Sequence, residues 1–213
     1  MIGVSLEVGA KKAFAAAIDW PGWCRAGRTP DAALAALEDY VARYAPVAAR
    51  AGLTLPEAEL VVAEEVPGDA TTDFGAPSVL RASDQQPVSG TEAARLGALL
   101  RACWGALDDI ASQAPEELRT GPRGGGRNRD KMLGHVLGAE AAYASKLGLR
   151  LKEPPVGDRE AIGAEREALL GVIAVPSDGS PLKEKGWTPR QAARRIAWHV
   201  LDHAWEMEDR ATA

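Results

Sequence analysis

The stretch "AWHVLDHAWEMED" (residues 197–209) carries two of the three histidines in this 213-residue chain, His199 and His203, four positions apart. Four residues are about one helical turn, roughly 6 Å of rise, so both imidazoles leave the same face of a helix. That spacing suits chelation of a cation and equally suits burial. The remaining histidine, His135 in "KMLGHVLGAEAAY", bears on the choice. On a helix it shares a face with Met132, Ala139 and Tyr143, while His199 and His203 share theirs with Ile196, Val200 and Met207. All three histidines are therefore expected to point inward from two helices. Each inward imidazole needs partners for two ring nitrogens. A divalent cation satisfies one nitrogen on each, and carboxylates commonly hold the other. Asp202, Glu206 and Glu140 are the candidates for that supporting role, with a solvated helix-surface position as the alternative for each.

Three neutral imidazoles leave at least one coordination position open, the arrangement of catalytic zinc. Such a site can activate water for hydrolysis or hold a thiol as thiolate for transfer to an electrophilic carbon. Three nitrogen ligands also suit nickel, iron or copper; zinc or nickel is the expected ion. Tyr143 is a candidate proton donor beside the metal, with core packing as its alternative. In "GPRGGGRNR" (121–129), Arg123, Arg127 and Arg129 precede a helix start, where Arg127 is the candidate to hold an anionic group of a small-molecule substrate. The stretch lacks the GK[ST] of a P-loop, and a solvated loop is its other reading.

The elements that must position these residues fall into two rhythms. "GVSLEV" and "KAFAAAID" read as strands joined at "GAKK". A Pro-Gly turn, a short strand and a single helix follow. Thr29 is its N-cap, Pro30 its first residue, and Ala33, Leu34, Leu37, Tyr40, Val41 and Tyr44 its apolar stripe, up to Gly52. "AELVVAEEV" is another strand. The Gly/Pro/Ser/Asp-rich run "PGDATTDFGAPSVLRASDQQPVSG" reads as a linker or a long wrapped connection, with a boundary near residue 86. Beyond it, helical periodicity runs over 90–114, 129–148, 158–174 and 189–210. Thr188, Pro189 and Gln191 mark the last helix as an N-cap, a first residue and a capping-box partner. The expected fold class is α+β: a small α/β domain of β-β-β-α-β order over residues 1–86, then an antiparallel four-helix bundle over 87–213.

Hydrophobic content of 46% with 26% charged residues is that of a globular protein. A net charge of −5 disfavours a general nucleic-acid partner. No apolar run reaches the ~18 residues of a membrane span, and the N-terminus lacks the order of a signal peptide, so a cytoplasmic location is expected. The two cysteines, Cys24 and Cys103, form no CxxC and are expected to fill space. Trp198, Leu201 and Trp205 form a second apolar stripe on the last helix, expected to pack on the first bundle helix or the N-terminal domain.

One histidine on the second bundle helix with HxxxH on the last, in "MLGHVLGAEAAYASKLG" and "TPRQAARRIAWHVLDHAWEMEDR", resembles the DinB-like superfamily over about residues 88–210. The resemblance implies a metal-binding triad at His135, His199 and His203, a dimer in many members, and, in related bundles, thiol-dependent S-transferases and isomerases using low-molecular-weight thiols. "AFAAAIDWPGWCRAGRTPDAALAALEDY" in turn resembles the HicB-like antitoxin fold over about residues 1–66, which implies that fold for the N-terminal part. Three functions follow as expectations: a metal-dependent thiol S-transferase or isomerase, a metal-dependent hydrolase, or a non-enzymatic stress-response or toxin–antitoxin-like interaction protein.

Overall fold

A computed structural model describes residues 1–120 and 128–211. Its fold is mixed α/β, with a four-stranded sheet at the N-terminus and seven α-helices among the described residues. Strands β1 (Ile2–Val8), β2 (Ala13–Ala17) and β3 (Cys24–Gly27) form an antiparallel meander, and β4 (Leu60–Pro67) adds parallel to β1, giving the order β3-β2-β1-β4. Every residue of β2 is buried, which is why "AFAAA" carries no polar alternation. Ala13, Ala15 and Ala17 belong to the main core, whereas Phe14 and Ala16 join Cys24, Ala76 and Trp198 in a second cluster.

The helix expected after β3 is two helices. Helix α1 (Pro30–Asp39) starts as the sequence suggests, with Thr29 Oγ1 accepting from the Ala32 amide at 3.2 Å. It stops at Tyr40, whose φ of −90° and ψ of 2° break the helical ladder, and α2 (Val41–Arg50) begins there. The apolar stripe runs through the break, so periodicity alone does not reveal it. The turn lets Tyr40 pack on Trp205 at 5.1 Å between ring centroids, while Tyr44 stacks on Trp23 at 5.5 Å. Gly27 lies where β3 meets α1: a Cβ there would run into the Ala32–Ala33 backbone. Gly27→Ala is expected to destabilise the fold by about 1–3 kcal/mol, read as a lower midpoint in urea unfolding.

The run expected to be a linker or wrapped connection is packed along its length. It holds a short helix, α3 (Ala70–Phe74), started by a capping box between Asp69 and Thr72, and a 3₁₀ turn at Ser83–Gln85. Its polar groups take up a buried carboxylate of the sheet: Glu7 accepts from Thr72 Oγ1 at 2.7 Å and from the Ser78 and Val79 amides at 3.0 and 3.2 Å, and Arg81 lies 3.7 Å away. Low periodicity here reflects a segment whose backbone and side chains bond polar groups elsewhere in the fold, Glu7 and Glu64 of the sheet among them.

The helices α4 (Gly90–Gln113), α5 (Arg129–Ala144), α6 (Arg159–Ile173) and α7 (Pro189–Ala211) lie within a residue or two of the expected spans, except that α5 ends in a 3₁₀ turn, Ser145–Leu147. They pack on one another, with α4 against α7 the most extensive pairing. Leu96, Leu99, Leu100, Cys103, Trp104 and Leu107 of α4 are all buried, as their spacing requires. Strand residues Ile2, Val4 and Leu6 share one continuous core with α4 and α7.

At the start of α7, Thr188 Oγ1 accepts from the Gln191 amide at 3.2 Å and donates to the Asp84 carbonyl at 2.7 Å. The expected capping-box return from Gln191 is replaced: its side-chain amide donates to the Ser78 carbonyl instead, 3.5 Å away. Arg194 then forms a bidentate pair with Asp84, at 2.7 Å on both oxygens. Trp198 meets Phe14 edge-on at 5.9 Å and Trp205 meets Tyr40, so the second apolar stripe of α7 does pack on the N-terminal elements. No helix among the described residues is long and apolar enough to cross a membrane.

Candidate metal centre

The groove between α5 and α7 brings the three histidines together. His199 and His203, one turn apart on α7, have ring centroids 4.6 Å apart, and the His135 ring lies 5.1 and 4.9 Å from theirs. One ring nitrogen from each falls within 4.8 Å of the others. Around a cation at ~2.0–2.1 Å, three imidazole nitrogens stand about 3.3 Å apart in tetrahedral geometry. Rotation about the side-chain torsions covers that difference, so the donor set fits a divalent ion. No cysteine, aspartate or glutamate among the described residues joins the cluster. Among the described residues the cluster thus offers three donor atoms, one from each histidine.

The histidines differ in burial more than their helical faces imply. His199 is buried, His203 half-buried and His135 exposed. The expectation that all three point into the core is corrected for His135. Helix α5 turns Met132, Val136, Leu137, Glu140 and Ala144 inward at i, i+4, i+5, i+8 and i+12, which leaves His135 on the groove's rim. The cluster thus runs from a buried end at His199 through His203 to an exposed end at His135.

Glu206 stands one turn beyond His203 and holds its Nδ1 at 2.9 Å, while Arg210 Nη2 lies 2.6 Å from the same carboxylate. With Nδ1 engaged by the carboxylate, Nε2 is the nitrogen left to His203 for a cation, as in histidines that an outer carboxylate orients toward a metal. Glu206→Ala is therefore expected to weaken zinc or nickel binding about 10- to 100-fold in a competition titration, with the helical circular-dichroism signal unchanged.

The other two acids serve different partners. Asp202 pairs with Arg25 of β3 at 2.9 Å. Glu140 faces α4 and α6: it accepts from Trp104 Nε1 and lies 3.8 Å from Arg166 Nε. Burial pushes its carboxyl up to about 7, against the opposing pull of Arg166. Tyr143 does stand beside the triad, its ring 5.8 Å from that of His199. Burial raises its pKa and Arg195 partly offsets the shift, so the hydroxyl keeps its proton at neutral pH. Arg127 lies outside the described residues. Arg129 is bound to Asp130 and the Ala114 carbonyl at the start of α5.

Two neighbours of the site were not singled out from the sequence. Trp187, just before α7, tilts against Tyr143 at 5.1 Å, and Arg195 lies over both Tyr143 and Trp198 at 5.5 and 4.7 Å. Arg195 precedes His199 by four residues, so the spacing that links the two histidines also places it on their face. No protein-family model matches the chain, and no curated protein or solved structure matches it.

Proposed function

We propose that the chain is a divalent-metal-binding protein built as a DinB-like helical bundle behind a HicB-like α/β unit, acting as a metal-dependent S-transferase or isomerase on a small-molecule substrate with a low-molecular-weight thiol. The observation that carries this reading is the convergence of His135, His199 and His203 from two helices. A zinc or nickel ion bound there supplies a Lewis acid that activates a thiol or a water molecule. His199 and His203 hold the ion from α7, and Glu206 fixes the tautomer of His203. Tyr143 keeps a proton beside His199. The proposal includes a homodimer and a cytoplasmic setting, in keeping with two free, buried cysteines.

The test begins with protein purified without a polyhistidine tag, its metal measured by elemental analysis. One equivalent of a divalent metal is expected. Thermal shift across a panel of low-molecular-weight thiols, with metal present, then selects the chemistry. A rise in melting temperature with a thiol supports transfer, whereas silence toward every thiol together with ester or amide hydrolysis assigns a hydrolase. Absence of stoichiometric metal, with His199→Ala leaving melting unchanged, would assign the chain to the non-enzymatic interaction proteins.

A further inference from the structure

Most buried or half-buried arginines among the described residues are paired with carboxylates, and two are not: Arg95, which lies over Trp20 and donates to the Asp19 carbonyl, and Arg195. Arg81 has Glu7, Arg166 has Asp108 and Glu140, Arg190 has Glu92, and Arg194 has Asp84. Arg195, half-buried, has no carboxylate within ion-pair distance among the described residues. Its guanidinium lies over the rings of Trp198 and Tyr143, which fixes its plane and leaves its N–H edge as the reactive feature. One of its five N–H groups donates to the Pro77 carbonyl at 3.3 Å, and the Tyr143 ring lies beside the guanidinium. A desolvated cation held flat, with donors to spare, is a receptor for a planar oxyanion.

Its position says which ligand. His135 lies against both His199 and His203, while Tyr143 lies against His199 and Arg195, so α5 runs antiparallel to α7 along one groove. The order along that groove is His203, His199, then Arg195, in steps of one turn, roughly 6 Å each. Tyr143 and Trp187, both partly exposed, form an aromatic wall beside the Arg195 end.

We propose that Arg195, with the Tyr143 hydroxyl, is the anion-binding end of the metal groove, so that the site takes small molecules bearing a metal-ligating atom and a carboxylate about one helical turn apart. The inference rests on the metal reading above and names the substrate class for it. The carboxylate accepts two N–H bonds from Arg195 and one O–H bond from Tyr143, and the intervening carbons lie along Trp187. The ligand's charge supplies the counterion that Arg81, Arg166, Arg190 and Arg194 find within the fold.

The test uses the full chain loaded with cobalt(II), whose thiolate charge-transfer absorption reports ligation. Two thiols are titrated, 3-mercaptopropionate and 2-mercaptoethanol, which differ in the carboxylate. The wild type is expected to bind the carboxylate thiol at least about tenfold more tightly, the effect of one charge-assisted bidentate pair. Arg195→Met is expected to abolish that preference with cobalt uptake unchanged. Arg195→Lys, which keeps the charge and the apolar stem but not the fork, is expected to retain only part of it and guards against a packing defect in the first variant. Equal affinities in the wild type, or a preference that survives both substitutions, would overturn the inference while leaving the metal centre standing. Failure to take up cobalt at all would overturn the metal reading and this inference with it.

Discussion

His199→Ala is expected to lose stoichiometric zinc or nickel binding, with affinity falling by at least about 100-fold, because two imidazoles remain where three converged. Of the three, His199 is the buried ligand, so no water replaces it without entering the packed side of α7. The same substitution separates binding from folding. A ligand that binds only the native state stabilises it by RT ln(1 + [L]/Kd), about 2.7 kcal/mol at a hundredfold excess over Kd. Urea unfolding of the wild type should gain about that much when metal is added, and His199→Ala should gain almost nothing. A variant that keeps the full metal-dependent gain would show that the triad is not where the ion sits. Equal stability of the two proteins without metal would show that the imidazole contributes little to packing.

The second large effect is a rise in stability on replacing an acid. Glu165 of α6 is buried, neither carboxylate oxygen has a hydrogen-bond partner, and burial beside Glu140 pushes its carboxyl up to about 7. Glu140 itself is held up to about 7, chiefly by burial. Both folded-state values lie above the ~4.3 of an unfolded glutamate, so the folded protein binds more protons than the unfolded chain between those limits. Stability from this pair is fully present below about pH 4.3 and is lost as pH rises through about 7. Glu165→Gln removes the charge while keeping the shape. The variant should be more stable than the wild type at pH 8 by about 1–3 kcal/mol, and the gap should narrow as pH falls and close only below about pH 4.3. Comparing variant and wild type at each pH cancels the titration of the histidines. A gap independent of pH would assign the effect to packing rather than to charge.

The helical part of this protein is legible because its signals are local. Thr188 followed by Pro189 starts α7, and Leu96 through Leu107 mark the buried stripe of α4, since capping and the 3.6-residue period act within a few residues. The nearness of His199 and His203 is also legible from their spacing on one helix, whereas the inward face expected for His135 is not the one it takes. What escaped were features set by neighbours distant in sequence. The break at Tyr40 depends on Trp205, the ordered connection depends on Glu7, and Glu140 answers to Trp104 and Arg166 rather than to its own helix's histidine. Asp202 and Glu206 illustrate the same limit from one helix: both are acids near His203, yet only Glu206, three residues on, holds the imidazole, while Arg25 from the sheet claims Asp202.

The bond between Thr188 and Asp84, the pairing of Arg194 with the same connection and the bridge from Arg25 to Asp202 join positions 104, 115 and 177 residues apart. The place of helix α7 therefore depends on the earliest strands and on the stretch around residue 80. Closing loops of that length precedes any reward from contact, so the chain folds slowly for its helical content. The two histidines of α7 meet His135 at the end of that search. Until then the three imidazoles are scattered along a flexible polymer, so the cluster is a property of the folded chain alone.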